Sequence, residues 1–104
     1  MLNLNYEFRK GIFFLRLIGE LTQKTYSTQL STIEELLAIN NFKYIVINTN
    51  YLDKIDFSGI NCFFELCNIS KQNSTSLVIC DKSKFFTKLL HYKIPNIKEE
   101  LEVL

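Results

Sequence analysis

Tryptophan is absent from the 104 residues, histidine and proline occur once each, and glycine occurs three times. So thin a reactive inventory leaves few ways to assemble acid/base or nucleophilic machinery. No Gly-rich phosphate loop and no nucleophile elbow is present. An excess of one charge is missing as well. Twelve Lys and Arg stand against eleven Asp and Glu, a net charge of +1, so there is no basic field to track a phosphate backbone and direct nucleic-acid binding is not expected. Long apolar runs are also lacking: Ile12 to Leu15 is cut off by Arg16, whereas a spanning helix needs about 20 apolar residues. Met1 to Lys10 alternates apolar and polar residues without the basic start, apolar core and cleavage site of a signal peptide. No transmembrane segment is expected, and the expected compartment is the cytoplasm. Cys62, Cys67 and Cys80 each lie in an apolar run, at no zinc or redox spacing, and are read as reduced thiols packed in a core.

What is present is the balance of an ordinary globular protein: 47% hydrophobic and 22% charged residues. The length fits a single domain over residues 1–104. Leu2, Leu4, Tyr6 and Phe8 alternate with polar residues as an outer strand. Lys10-Gly11 is a tight turn, and Ile12 to Ile18 reads as a returning strand covered on both faces. The period then changes: Tyr26, Leu30, Ile33 and Leu37 mark an amphipathic helix with Thr25 as its cap, ended by Asn40-Asn41. Tyr44 to Ile47 is a buried strand, Asn48 to Phe57 a polar loop, and Ser58-Gly59 opens a second helix reaching Ile69. Gln72 to Ser76 reads as a loop and Leu77 to Cys80 as another buried strand. Ser83 leads a third helix through Leu90, closed by Pro95, and the tail Ile97 to Leu104 is either a strand or a helix turn.

This order predicts an α/β domain: a small mixed, mostly parallel sheet of about four or five strands with helices packed on it and the first strand at an edge. Ligands and partners then meet the carboxyl ends of the parallel strands, at Glu20 to Thr22, Asn48 to Ser58 and Asp81 to Ser83. Ser58 there is either a helix cap or part of an anion-binding helix start, and Asp56 is placed to accept hydrogen bonds across the loop. Phe57 is a large apolar group among polar ones. It either folds back as a hydrophobic staple against a residue such as Phe63 or stands out as an anchor for a partner. His91 has no second ligand at metal spacing, and Glu34, Glu35, Glu99, Glu100 and Glu102 sit on wet faces. No metal or cofactor is expected, and an enzyme using Cys62 or Ser58 as nucleophile has no positive support.

Gly19-Glu20-Leu21, the strand Tyr44 to Asn48, and Leu52-x-x-Ile55-Asp56-Phe57-Ser58-Gly59-Ile60 opening a helix together resemble the STAS domain of bacterial anti-sigma factor antagonists. The resemblance runs from about Ile12 to Leu90. It implies a non-catalytic regulator of transcription that docks on an anti-sigma factor acting as a serine kinase, through Glu20, Leu21, Thr22, Asp56, Phe57, Ser58 and Gly59. The family's phosphorylated hydroxyl follows the Asp of its motif, and here that position is Phe57. Ser58 matches the second hydroxyl and is the remaining candidate for phosphorylation. The short end after Pro95 is closer in length to the small STAS subunit of Mla-type lipid-transport ATPases, which keeps an ABC ATPase as the alternative partner.

Overall fold

In the computed structural model, which describes residues 1–38, 43–72, 76–86, 88 and 98–99, strand β1 (Leu2–Arg9) folds back on β2 (Ile12–Leu21). Lys10 and Gly11, at φ 52° and 80°, make the turn. Two consecutive positive φ values match the twist of a two-residue hairpin, and glycine takes the second at no steric cost. The hairpin pairs without interruption from Leu2 opposite Gly19 to Arg9 opposite Ile12. Helix α1 (Gln23–Ala38), strand β3 (Tyr44–Ile55), helix α2 (Phe57–Gln72) and strand β4 (Ser76–Cys80) follow. A two-residue strand β5 (Lys98–Glu99) completes a sheet of order β1-β2-β3-β4-β5, parallel except for the hairpin. The tail therefore contributes strand at residues 98 and 99.

Because each parallel strand lies next to its predecessor, crossovers of one hand lay α1 and α2 on the same face of the sheet. That face holds the main core. Phe13, Leu15 and Leu17 from β2, Ile45 and Ile47 from β3, and Leu77 and Ile79 from β4 meet Tyr26, Ile33 and Leu37 of α1 and Phe63, Leu66 and Cys67 of α2. The Ile12 to Ile18 run, expected to be covered on both faces, carries α1 and α2 on one face, while on the other Ile12, Phe14 and Ile18 are only half-buried. On the reverse face Val46, Val78 and Cys80 are buried beside the half-buried Ile12, Phe14 and Tyr44. Two arginines roof Phe14, with Arg9 at 4.4 Å and Arg16 at 5.9 Å from the ring centroid. Arg16, which interrupts the apolar run, is buried and donates to Asn5 Oδ1 at 2.8 Å and Glu7 Oε1 at 3.0 Å. Both acceptors stand on the polar side of β1, so the alternation of the first strand supplies partners for the charge in the second.

The Asn48 to Phe57 segment is not a loop: β3 continues through it to Ile55. It pairs with the far half of β2, Ile18 with Tyr51, Gly19 with Leu52, Glu20 with Lys54 and Leu21 with Ile55. Along the full pairing β3 uses 12 residues where β2 uses 10. Register shifts at Arg16/Ile18 and Gly19/Glu20 absorb the difference, and an extra residue at each bulge breaks the period of two that would have announced a strand.

Of the third helix, residues 85, 86 and 88 are helical, with the Lys88 N–H donating to the Lys84 carbonyl at 3.0 Å. Asn40-Asn41, Leu89, Leu90, His91, Pro95 and the tail outside residues 98 and 99 lie outside the described residues.

Candidate functional site

At the carboxyl end of β2 the chain enters α1 through reciprocal threonines. Thr22 Oγ1 accepts the Thr25 N–H at 3.2 Å, and Thr25 Oγ1 accepts the Thr22 N–H at 2.9 Å. This is the geometry of a capping box with a hydroxyl replacing the usual Glu. The cap is thus Thr22, with Thr25 reaching back to it. Likewise α2 is capped by Asp56 and not by Ser58: Asp56 Oδ1 accepts the Gly59 N–H at 2.7 Å, the bond that a capping carboxylate makes to the third helical residue. Phe57 and Ser58 occupy the first turn, one step earlier than the expected helix start.

Gly59 is required by a close approach. A Cβ there would fall onto the Leu21 carbonyl, so α2 starts hard against the end of β2. This contact, with the pairing of Leu21 and Ile55, brings the Glu20 to Thr22 and Asp56 to Gly59 segments together. Leu21 itself is buried in the core and offers a partner no side-chain surface. Glu20 and Thr22 are half-buried, and the Glu20 carboxylate meets the N-terminal ammonium at 3.1 Å. That hydrogen bond and charge, with Lys54 adding to them, hold its carboxyl below the usual range.

Phe57 is 88% exposed. The staple reading is overturned, because the space it would fill is taken: Phe63 is packed against Phe86 at 4.6 Å between centroids. A Phe57 side chain at the first helical position therefore points away from the core.

On one side of α2, a cavity of about 350 Å³ opens between its first turns and those of α1 and includes Ser58. On the other side, a cavity of about 220 Å³ lies between the end of β3 and the segment after β4, lined in part by Leu52, Ile55, Phe85 and Phe86. The Asp81 to Ser83 loop joins the fold by a different route. Asp81 Oδ1 accepts the hydroxyls of Thr49 and Ser83, both at 3.0 Å, and Asn50 Oδ1 accepts the Lys82 N–H at 2.7 Å. Its polar groups fasten the β4 exit to the first bulge of β3.

Little here activates a nucleophile. Burial, with Glu65 and Asp56 adding to it, pushes the Cys62 thiol up, and a thiol so placed stays protonated and inert at neutral pH. Among the described residues no group of three His, Cys, Asp or Glu side chains is placed to hold a metal ion, and no described helix is long and apolar enough to cross a membrane. Reading the sequence missed the cavity between the helices, whose signal was Tyr26, the one apolar-face residue of α1 with a polar tip, flanked by Gln23 and Ser27.

A family model described as the STAS domain matches residues 3–101. Among solved structures, the chain is similar to an anti-sigma factor antagonist from Mycobacterium paratuberculosis, with 11% identity and a TM-score of 0.74 over 100% of this chain and 88% of that one. It is similar to the anti-sigma factor antagonist SpoIIAA in its unphosphorylated form at 14% identity and a TM-score of 0.72, covering 99% and 90% of the two chains. The phosphorylated form of SpoIIAA, described as a Bacillus cell fate determinant, gives 16% identity and a TM-score of 0.71 over 96% and 93%. At such identities the likeness is one of fold.

Proposed function

Because the chain belongs to the STAS domain family, we propose that it is a non-catalytic adaptor that docks on a partner protein through the Asp56 to Gly59 turn. The partner is an anti-sigma factor with serine-kinase chemistry. The observation that carries this reading is Phe57: an aromatic ring left bare on the first turn of a helix whose cap and seat fix its position. Aromatic side chains, phenylalanine among them, are enriched at protein interfaces relative to the rest of the surface.

SpoIIAA is described in both phosphorylated and unphosphorylated forms, so the resemblance to its family implies a switch in which phosphate, adding close to two negative charges, blocks docking. Phe57 stands where the family places the phosphorylated hydroxyl. A phenyl ring cannot accept phosphate, and docking is then constitutive, with Glu20 and Thr22 contributing from the neighbouring segment. Ser58 is half-buried and lines the cavity between the helices, which favours a packing role over that of a phosphate acceptor.

Affinity capture from the native cell tests this. Wild type should recover an anti-sigma kinase and leave Ser58 unmodified by mass spectrometry, while Phe57→Ala should weaken binding by about 2 kcal/mol, roughly 30-fold. Equal capture by both proteins removes Phe57 as the anchor, and recovery of a transport ATPase replaces the kinase with the alternative partner.

A further inference from the structure

β1 lies at the outside of the sheet, and its outer edge can be traced bond by bond. The Met1 carbonyl accepts the Glu20 N–H at 3.0 Å. In an antiparallel pair, opposed residues alternate between exchanging such bonds and turning their N–H and C=O groups outward. With Leu2 opposite Gly19 and the register unbroken to Arg9, Leu2, Leu4, Tyr6 and Phe8 are the residues that turn theirs outward. The Gln29 carboxamide donates to the Leu2 carbonyl at 3.3 Å, which agrees with that phase and closes the edge at Leu2. Among the described residues, no group bonds to the outward backbone of Leu4 or Tyr6.

Strand edges are commonly guarded by a proline, lysines or a bulge. β1 contains no proline and no lysine, and its pairing has no bulge. Its two charges, Glu7 and Arg9, bond to each other, and Glu7 also to Arg16. On the helical face Tyr6 and Phe8 stay 54% and 60% exposed. The edge is also complementary to itself. Under a two-fold axis that sets Tyr6 opposite Tyr6 of a second copy, Leu4 faces Phe8, Asn5 faces Glu7 and Asn3 faces Arg9, so each charge meets a carboxamide and no like charges are opposed. The next register one way sets Glu7 against Glu7. The next register the other way sets Phe8 against Leu2, whose carbonyl Gln29 already holds. We propose that two copies of this chain associate edge to edge, β1 pairing antiparallel with β1 and Tyr6 on the axis, so that their sheets join into one. A contact of one strand edge and its two rings belongs to the weak class of association, and the dimer is therefore concentration-dependent.

Sedimentation velocity on the full chain, from about 10 μM to about 1 mM, should show monomer passing into dimer. Tyr6→Lys, which opposes two ammonium groups at the axis, should raise the dissociation constant about tenfold. Tyr6→Cys tests the register and guards against a lysine variant that fails to fold: directly opposed, bonded residues lie about 5.5 Å apart at Cα, within disulfide reach. With oxidised glutathione Tyr6→Cys should therefore crosslink two chains, whereas Asn3→Cys, opposite Arg9 in this register, should not. The native Cys62, Cys67 and Cys80 are buried and stay out of the reaction. These measurements use neither Phe57 nor a partner protein, so their failure leaves the docking experiment untouched. A monomer throughout the range, a dissociation constant unmoved by Tyr6→Lys, or equal crosslinking by the two cysteine variants would overturn the proposal.

Discussion

Phe57 and Asp56 are neighbours with opposite duties. Asp56 holds the helix start through its 2.7 Å bond to the Gly59 N–H; Phe57, at 88% exposure, contributes almost nothing to the core. Asp56→Ala should therefore lower the unfolding free energy by about 1 kcal/mol, the usual worth of an N-cap. Phe57→Ser should change it by less than about 0.5 kcal/mol, as surface substitutions do. Urea titrations of the two variants check the pair, and a large loss in Phe57→Ser would mean that the ring packs against the fold. The oddness of Phe57 was legible in the sequence, since a large apolar side chain stood alone among polar ones. Its direction was not, because a staple and an anchor share one sequence pattern and differ only in whether Phe63 already has a ring against it.

Among the elements, the hairpin, the two helices and the buried strands were legible because each keeps one period throughout. β3 was legible only in its first half. Beyond Ile47, two residues in excess of β2's count enter the strand, Asn48 and Thr49 are buried in succession, and the polar residues used to stitch the bulge look like those of a turn. The caps were misplaced by a few residues for a related reason: Thr22 and Thr25 bond to each other's backbone, so both carry the composition of a cap. Thr22→Ala and Thr25→Ala should each destabilise by about 1 kcal/mol, and the double variant should cost less than the sum, because either substitution breaks the same box. Additive losses in a thermal or urea double-mutant cycle would show the two hydroxyls acting independently.

For the molecule as a whole, every cysteine lies inside: Cys62 at 7%, Cys67 at 0% and Cys80 at 3% exposure. Cys62 and Cys67 belong to the face under the helices and Cys80 to the reverse face. The three thiols thus report on two sides of one sheet. If the sheet opens as a unit, iodoacetamide should label all three at one slow rate set by global unfolding, with the rates rising together in denaturant. Cys80 reacting well ahead of the other two would separate the reverse face from the helical one. The docking proposed above draws on the same rigidity. With the α2 entry wedged against the Leu21 carbonyl, the turn that presents Phe57 is already in shape before any encounter. Association then has little backbone disorder to freeze, so the entropic penalty of binding falls mainly on the two bodies' lost tumbling and on the partner's own loops.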